Sequence, residues 1–416
     1  MSNIVLLYCD TRTGHFGMGA HTRNILQYLK EAPNVKITVV KTDSDSNTCK
    51  KYSDSENFDT IEIPKPKNKL VLFGNNHPVQ IVYAQRIADV LYRYLRDKSN
   101  LILWSNTIDN LNLCRILKAT FDCKLLYVHH NFSWKVYLKT TYQVFAEQWE
   151  NHNANYHSLA FEYTGYQQQM ALLADHVITV TQQAEYFFRD VLAIPAERIS
   201  TIYNGIAADT QRKNNARELR KKYGFSPQEK IILFCGRIVS EKGIDYLASA
   251  FKLLVPQIPE SRLVIIGNGD IVNLLAKVAH HWSKVTFTGE LAEAEVFDLY
   301  SIANVGVMPS TQEQCSFTAI EMRFHKVPLI VSAVEGLDET FEDGIDCLKL
   351  TAKYDENQFI YFSINELAEK IRLLITNQSL ANQIADNGYE KALLEFTAEK
   401  MSKEYLKIFL DLKKGS

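Results

Sequence analysis

The sequence lacks an apolar run of the roughly 18 to 20 residues that a membrane-spanning helix needs. It also lacks a charge imbalance, because 46 Lys and Arg residues offset 48 Asp and Glu residues to a formal net charge of −2. We therefore expect neither an integral membrane protein nor a nucleic-acid-binding protein. The start, MSNIVLLYCD, has no basic segment and no small-residue cleavage site, so it predicts a first strand and a cytoplasmic protein.

Clustered cysteines and metal-ligand spacings are missing as well. The seven cysteines are odd in number, scattered and mostly embedded in apolar runs, which predicts reduced core residues rather than disulfides. Asp43 and Asp45 form a D-x-D pair, but the surrounding run KTDSDSNTCKKYSDSEN is uniformly polar, and we interpret it as a solvated loop. His280 and His281 are interpreted as a helix end rather than a zinc site. We expect no metal ion and no cofactor.

The chain of 416 residues is too long for one ordinary core and predicts two domains of about 200 residues each. Short apolar runs alternate with amphipathic stretches, which is typical of parallel sheets with crossover helices. We predict an α/β protein with two Rossmann-like, doubly wound domains, residues 1–205 and 206–396. The polar, basic stretch Asp209–Lys222 is predicted to be the linker and the start of the second domain. Ligands are expected beyond the carboxyl ends of the strands, in a cleft between the domains. The predicted strands are Ile4–Tyr8, Lys36–Val40, Leu101–Trp104, Lys124–Val128, His176–Val180, Ser200–Tyr203, Lys230–Cys235, Arg262–Ile266, Val285–Thr288, Val305–Met308 and Leu329–Ser332.

Two long stretches are predicted to be helical with breaks at particular residues. Tyr142–Ala174 is expected to break near Gly165. The C-terminal stretch Ser363–Leu412 is expected to be interrupted near Asn377 and near Gly388.

The stretch Val305–Val331 predicts a strand, a polar loop, a helix and a second strand. Glu313 lies on the loop and Glu321, eight positions later, lies about one turn inside the helix. Unpaired backbone N–H groups at a helix start form an anion site. Here those groups belong to Cys315, Ser316 and Phe317. Two carboxylates beside an anion site match a ligand with hydroxyls and a phosphate, which is the layout of a sugar nucleotide.

A second strand-to-helix junction, Phe234–Asp245, places two cations before a helix that is expected to begin near Gly243. Arg237 and Lys242 at such a helix start can neutralise a diphosphate without a metal. Taken alone, these side chains can equally be two solvated cations of a surface loop. Glu313 and Glu321 at equivalent strand ends of the same domain favour the functional interpretation.

These residues lie in segments that resemble a known family. FCGRIVSEKGIDYLASAF, RLVIIGNGD, TFTGEL, VGVMPSTQEQCSFTAIEM and VEGLDETFEDG resemble, in this order, the motifs of the retaining GT-B glycosyltransferases of family 4, also known as glycosyl transferases group 1. The resemblance covers the second domain almost continuously and includes the family's pair of glutamates eight positions apart.

The resemblance implies a role for each matching residue. Arg237 and Lys242 would hold the donor diphosphate, and Glu321 would accept hydrogen bonds from the ribose hydroxyls. Glu313, with the amides of Ser316 and Phe317, would bind the sugar ring. The backbone around the base would be that of Gly267, Gly269 and Leu291.

The first domain resembles the family less closely. TRTGHFGMGAHTRNIL places Gly14, Gly17 and Gly19 between the first strand and the first helix, where glycines let the backbone approach a phosphate or sugar; a tight turn without a ligand is the other interpretation. YVHHNFSW resembles the family's segment with a histidine, an acid and a tryptophan, and His130 would match the histidine. It could bond a sugar hydroxyl or be satisfied by the backbone, and His129 is the competing assignment. The family's acid and aromatic positions would be taken by Asn131 and Trp134.

The expected protein is a metal-independent, retaining glycosyltransferase that moves a hexosyl-type group from a UDP- or GDP-linked sugar to an acceptor hydroxyl bound by the first domain. By resemblance, a final helix at about residues 397–416 would cross back onto the first domain. The sequence leaves open whether the acceptor is a saccharide, a lipid-linked molecule, a peptide or a small molecule. It also leaves open whether the protein contacts a membrane surface. The residues that could do so are Trp134, Lys135, Tyr137 and Lys139, which could equally form a face packed on the domain. The alternatives are a catalytically idle sugar-nucleotide-binding protein and another GT-B enzyme such as a sugar-nucleotide epimerase.

Overall fold

The computed structural model describes residues 2–9, 17–66, 78–95, 97–138, 140–152, 157–207 and 215–414. By its internal contacts the chain forms two compact α/β units. Unit 1 consists of Met1–Leu138, Gln143–Gly205 and Ala398–Ser416, and unit 2 of Lys139–Tyr142 and Ile206–Thr397. Unit 1 is therefore discontinuous, because its last segment follows the whole of unit 2 in the sequence.

Unit 1 is built on an eight-stranded sheet with the order β3-β4-β2-β1-β5-β6-β7-β8, in which only the edge strand β3 runs antiparallel to its neighbour. Its central strands are short apolar runs because parallel strands are covered on both faces; all five residues of LILWS are buried, for example. The strands are β1 Ser2–Cys9, β2 Val35–Ser44, β3 Lys50–Ser55, β4 Phe58–Pro64, β5 Leu101–Ser105, β6 Cys123–His129, β7 His176–Thr179 and β8 Ile199–Thr201.

Seven helices of unit 1 are described. The last of them, although it comes after unit 2 in the sequence, buries Met401, Tyr405 and Phe409 in the same core as Ile4 and Trp104. The core of unit 1 is thus completed by the end of the chain. The helices are α1 Gly17–Leu29, α2 Pro78–Tyr94, α3 Leu111–Thr120, α4 Tyr142–Glu150, α5 Ser158–Leu173, α6 Gln182–Tyr186 and α15 Ala398–Lys414, numbered in chain order through both units.

Unit 2 contains a six-stranded, wholly parallel sheet of order β11-β10-β9-β12-β13-β14 and a two-stranded ribbon, β15-β16. The strands are β9 Lys230–Cys235, β10 Ser261–Ile266, β11 Val285–Gly289, β12 Val305–Met308, β13 Leu329–Ser332, β14 Leu348–Leu350, β15 Lys353–Tyr354 and β16 Ile360–Tyr361. The helices are α7 Ala216–Lys222, α8 Ile244–Leu254, α9 Ile271–Lys277, α10 Glu293–Tyr300, α11 Phe317–Phe324, α12 Glu335–Thr340, α13 Ile364–Thr376 and α14 Gln378–Glu395.

The strand order reverses direction between β9 and β12. From β9 the chain adds β10 and β11 on one side, and then returns to place β12, β13 and β14 on the other. In open α/β sheets, ligands bind outside the carboxyl ends of the strands at such a switch point. A ligand site is therefore expected at the loops that follow β9 and β12.

Three predictions about local structure are wrong. The run around Asp43 and Asp45 is not one solvated loop, because β2 extends through Ser44 and Lys50–Ser55 pairs antiparallel with β4. The residues of Lys50–Ser55 are mostly exposed and show no apolar pattern. Only the pairing with the buried strand β4 makes them a strand.

The other two wrong predictions placed helix breaks at glycines. α5 runs through Gly165, and α14 runs through Gly388. A glycine inside a helix costs only about 1 kcal/mol relative to alanine, which tertiary packing readily outweighs. α4 ends at Glu150 and α5 begins at Ser158, and α14 ends at Glu395 before α15 begins at Ala398. The interruption predicted near Asn377 is confirmed, since Asn377 caps the start of α14.

Part of the predicted linker is helical, because α7 covers Ala216–Lys222; residues 208–214 lie outside the described part. No helix within the described ranges combines the length and the apolar character needed to cross a membrane. Across the same ranges, no three His, Cys, Asp or Glu side chains are grouped so that they could hold a metal ion. His280 and His281 lie in a 3-10 turn, Ala279–Lys284, just after α9.

Candidate functional site

Two loops meet at the switch point of unit 2. The loop after β9 carries Arg237 and a short 3-10 turn, Ser240–Lys242, and the loop after β12 carries Glu313. Thr311 of the second loop donates its backbone N–H to the carbonyl oxygen of Glu241 in the first loop at 2.9 Å. A backbone hydrogen bond thus links the two loops that carry the residues predicted to bind the phosphate and the sugar.

Gly243 is the residue that permits this close approach. It adopts a left-handed conformation with φ of 66° between the 3-10 turn and α8. A Cβ atom at this position would lie 1.8 Å from the carbonyl oxygen of Pro309. Only glycine fits here, both because of its φ and because of the contact with the β12 loop.

Lys242 and Glu313 form an ion pair in which Nζ lies 2.5 Å from Oε2. Both side chains are largely shielded from solvent, with exposures of 21% and 15%. Arg237 lies on the same loop, is about half exposed and pairs with Glu241 at 2.5 Å. Of the predicted set, Lys242 and Glu313 are therefore in contact, and Arg237 lies on the same loop as Lys242, paired with Glu241.

A residue without a role in the sequence prediction holds the Glu313 loop in place. Glu335, the first residue of α12, accepts the backbone N–H of Glu313 at 3.2 Å and the side-chain amide of Gln314 at 3.3 Å. In return the backbone N–H of Gly336 donates to the carbonyl oxygen of Glu313 at 3.1 Å. Glu335 has φ of 40°, a strained conformation for a residue other than glycine, and such strain persists where the surroundings enforce it.

The helix start predicted after Glu313 is present, but it lies one residue later than predicted, at Ser316 instead of Cys315. Ser316 is the N-cap of α11 and its Oγ accepts the backbone N–H of Ala319 at 3.4 Å, while Phe317 is the first helical residue. Cys315 is buried just before the cap. Ser316 caps the Ala319 N–H, and the N–H groups of a first helical turn lack the carbonyl partners that later turns have, so this terminus can bind an anion.

Glu321 lies one turn inside α11, as predicted, and bonds a residue that the sequence prediction missed. The hydroxyl of Tyr300, the last residue of α10, donates to Glu321 Oε2 at 3.1 Å. His325 Nδ1 donates to the backbone carbonyl oxygen of Glu321 at 2.8 Å. No motif in the sequence points to Tyr300, because its hydrogen bond spans two helices and leaves no local pattern.

Gly267 and Gly269 follow β10, and Leu291 follows β11. Gly267 has φ of 128°, and a Cβ there would lie 2.1 Å from the carbonyl oxygen of Gly236 after β9. Gly269 makes a similar approach to the carbonyl oxygen of Ile238, at 2.2 Å. These glycines therefore have a structural reason of their own, which is the packing of neighbouring strand-end loops.

In unit 1, Gly17 and Gly19 open α1, and Gly14 lies outside the described residues. The structure distinguishes the two candidate histidines. His129 is the last residue of β6, is 1% exposed and bonds Gln167 through Nδ1 at 3.2 Å. His130 is half-buried, and its Nε2 has no hydrogen-bond partner among the described residues. Nε2 of each of the two rings is buried without a hydrogen-bond partner among the described residues, so this atom does not separate them. His129 is a core residue, and His130 differs from it in being partly exposed.

The ring of His130 packs edge-on against His21 of α1, with centroids 4.8 Å apart. His21, also missed by sequence reasoning, is buried and its Nε2 lies 3.0 Å from the hydroxyl of Tyr405 on the final helix. Burial lowers the pKa of His130 to about 4 and the pKa of His129 to about 3. Burial also lowers the pKa of His21 well below its ordinary value, and the neighbouring His130 lowers it further. All three imidazoles are therefore neutral at physiological pH.

Trp134 does not lie on an exposed face. It is fully buried and stacks on Phe145 with ring centroids 4.5 Å apart, so the membrane contact considered for it is wrong. Lys135 lies over the Trp134 ring, with Nζ 5.0 Å from its centroid. Tyr137 packs against Tyr163 at 5.4 Å, and Lys139 lies outside the described residues. The segment after His130 is a packed part of unit 1.

Comparison with known proteins adds two family matches and several similar structures. A model described as glycosyl transferases group 1 matches residues 215–391, and one described as glycosyltransferase family 4 matches residues 17–210. An uncharacterised glycosyltransferase of Methanocaldococcus jannaschii is 26% identical over 240 residues, covering 56% of this chain and 59% of that protein. The chain spans little more than half the length of the curated relatives it matches.

Among solved structures, the sucrose-phosphate synthase of Thermosynechococcus elongatus has a TM-score of 0.79 and 20% identity, covering 100% of both chains. The Anabaena protein HepE, solved in complex with UDP-glucose, has a TM-score of 0.71 and 15% identity, covering 99% of this chain and 100% of that one. At these identities the likeness concerns the fold.

Proposed function

Because the chain belongs to the group 1, family 4-like glycosyltransferases of the GT-B fold, we propose that it transfers a hexosyl group from a UDP- or GDP-linked sugar to an acceptor hydroxyl, with retention of the anomeric configuration. The observation that carries the proposal is the ion pair of Lys242 and Glu313 at the switch point of unit 2, with Arg237 on the same loop as Lys242. Two cations and a carboxylate at adjoining strand ends match a diphosphate joined to a polyhydroxylated ring.

The two cations would act on the leaving group. As the bond between the anomeric carbon and the diphosphate oxygen breaks, negative charge grows on the diphosphate. Arg237 and Lys242, with the N-terminus of α11, would stabilise that charge. A positioned guanidinium and ammonium supply this stabilisation without a metal ion, which supports a metal-independent reaction.

Glu313 and Glu321 would bind hydroxyls at the two ends of the donor. Glu313 lies beside Lys242 and would accept hydrogen bonds from the sugar ring, while Glu321 would accept them from the ribose. The backbone of Gly267 and Gly269 after β10, and that of Leu291 after β11, would border the base. Neither glutamate is needed as a base, because the departing diphosphate oxygen can take the proton of the acceptor hydroxyl as the new glycosidic bond forms on the same face.

The acceptor would be bound by unit 1. His130 is neutral and partly exposed, and its buried imidazole Nε2 bonds no described residue, so an acceptor hydroxyl that reaches this atom would satisfy it. Gly17 and Gly19 at the start of α1 would let a phosphate or sugar approach the backbone. An idle sugar-nucleotide-binding protein would share the unit 2 residues, and only turnover separates it from an enzyme.

The test has a binding arm and a turnover arm. UDP-glucose, UDP-N-acetylglucosamine and GDP-mannose are screened by thermal shift in EDTA, since a ligand of the native state raises the melting temperature. Release of nucleoside diphosphate is then measured with a panel of hydroxyl acceptors. Stabilisation by one donor, lost in Arg237→Ala, together with acceptor-dependent release, supports the proposal. A strict requirement for Mn²⁺ would overturn the mechanism, and binding without release would identify a sensor.

A further inference from the structure

Tyr300 stands out among the buried polar residues of unit 2. It is the last residue of α10, its side chain is 1% exposed, and its hydroxyl donates to Glu321 Oε2 at 3.1 Å. A buried tyrosine hydroxyl requires a partner, and here that partner is a residue assigned to the ligand rather than to the core. The hydrogen bond joins the last turn of one helix to the second turn of another.

The groups around this hydrogen bond are neutral donors. The Tyr300 hydroxyl also contacts the thiol of Cys235 at the end of β9. Burial, with the nearby Cys235 and the charge of Glu321, raises the pKa of Tyr300 well above its ordinary value, and burial raises the pKa of Cys235 to about 12. Both groups keep their protons at physiological pH, and the Tyr300 hydroxyl donates its hydrogen to the Glu321 carboxylate.

The same cluster also fixes the backbone of Glu321. His325 donates to the Glu321 carbonyl oxygen, and its ring packs against Phe297 and Tyr300 with centroid distances of 4.6 and 5.4 Å. Phe297 and Tyr300 are one turn apart on α10. One face of α10 therefore contacts both the carboxylate and the helical turn that carries it.

Orientation matters for a carboxylate that has to accept hydrogen bonds from two adjacent hydroxyls. An unrestrained glutamate samples several rotamers, and ordering it when the ligand binds costs conformational entropy. A tyrosine has two side-chain torsions, and a buried one is already ordered by packing. We propose that Tyr300 is a positioning residue that holds the plane of the Glu321 carboxylate for the ribose hydroxyls of the donor. This inference rests on the proposed function.

The experiment uses the full chain and four nucleotides. Affinities for UDP, GDP and their 2′,3′-dideoxy forms are measured by calorimetry for the wild type and for Tyr300→Phe, which keeps the ring and removes only the hydroxyl. Loss of one hydrogen bond is expected to weaken binding of the preferred ribonucleotide about three- to tenfold. Binding of its dideoxy form should change less than twofold. If Tyr300 had only a structural role, Tyr300→Phe would weaken binding of the ribonucleotide and of its dideoxy form alike.

Tyr223→Phe is the matched control, because the Tyr223 hydroxyl also bonds a carboxylate of α10, that of Asp298 at 3.4 Å. It should leave the ratio of ribose to dideoxyribose affinities unchanged. The double variant Tyr300→Phe, Glu321→Gln should bind the preferred ribonucleotide no more weakly than the single variant Glu321→Gln does. If Tyr300→Phe keeps the wild-type ratio, the inference is overturned while the proposed function stands. If the wild type binds neither UDP nor GDP, the proposed function falls, and the inference with it.

Discussion

The hydroxyl of Tyr405 lies 3.0 Å from Nε2 of His21, although 384 positions separate the two residues in the sequence. The hydrogen bond links α1, which follows the glycine-rich segment, to the final helix of the chain. Because His21 packs against His130, the final helix contributes indirectly to the surroundings of the residue proposed to bind the acceptor.

Tyr405→Phe is expected to destabilise unit 1 by about 1 to 2 kcal/mol, because it leaves a buried imidazole nitrogen without its partner. Scanning calorimetry of the full chain checks this, with the melting of unit 2 as the internal reference. Tyr28→Phe on α1, whose ring is exposed, is the control and should leave the melting curve unchanged. Identical curves for Tyr405→Phe and Tyr28→Phe would contradict the prediction.

Stability is expected to fall as the pH drops from about 6.5 toward 4. The pKa of His129 is lowered to about 3 and that of His130 to about 4 in the folded protein, against 6.5 for an ordinary histidine. In this window the unfolded chain takes up protons that the folded chain does not, so the free energy of unfolding decreases by an amount on the order of several kcal/mol. Urea denaturation at pH 7.5, 6 and 5 measures it.

His129→Gln provides the matched comparison for the pH series. It removes one titrating group while keeping a side-chain amide that can bond Gln167. The difference in unfolding free energy between pH 7.5 and 5 should be smaller for this variant than for the wild type. An unchanged difference would show that His129 does not contribute.

Lys242→Met and Glu313→Gln are expected to separate the binding of diphosphate from the binding of sugar. Lys242→Met should weaken both the nucleoside diphosphate and its sugar conjugate about tenfold or more, since it removes a charged donor from the phosphates. Glu313→Gln should weaken only the conjugate, because the carboxylate acts on the sugar. Calorimetry with UDP and UDP-glucose, or with GDP and GDP-mannose, gives both values.

Lys277→Met is the control for Lys242→Met, since Lys277 is a more exposed cation of the same unit that pairs with Asp245 at 2.8 Å. It should bind both ligands as the wild type does. If Glu313→Gln weakens the bare diphosphate as much as the conjugate, the assignment of Glu313 to the sugar is wrong.

Gly243→Ala is expected to destabilise unit 2 more than Gly224→Ala does. Both glycines have positive φ, 66° and 73°, and both substitutions carry a backbone penalty of about 1 kcal/mol. A Cβ on Gly224 meets nothing within 4 Å, whereas one on Gly243 collides with the carbonyl oxygen of Pro309. Thermal denaturation of the two variants isolates the effect of the collision, and equal shifts would mean that the loops separate at little cost.

The elements best predicted from the sequence are the buried parallel strands. Lys230–Cys235, Val305–Met308 and Leu329–Ser332 coincide with observed strands, because a strand covered on both faces is one uninterrupted apolar run. The edge strand Lys50–Ser55 could not be found in this way. Its polar side chains face solvent, and its structure depends on pairing with the neighbouring strand.

The candidate site was predictable only where its residues follow strand ends. Lys242 and Glu313 could be placed together, although 71 positions separate them, because parallel strands bring their carboxyl ends to one edge. Tyr300, Glu335 and His21 were missed for a common reason. Each acts through a hydrogen bond or a ring contact with a residue on another element, and no spacing in the sequence encodes such a contact.

The discontinuous build of unit 1 has a consequence for biosynthesis. Its core lacks Met401, Tyr405 and Phe409 until the last 19 residues of the chain, Ala398–Ser416, have been translated. Unit 2 is almost uninterrupted in the sequence and can fold earlier, while the ribosome is still at work. The half of the protein that is made first is thus the half whose core is completed last, and apolar core residues left uncovered until then are what chaperones bind.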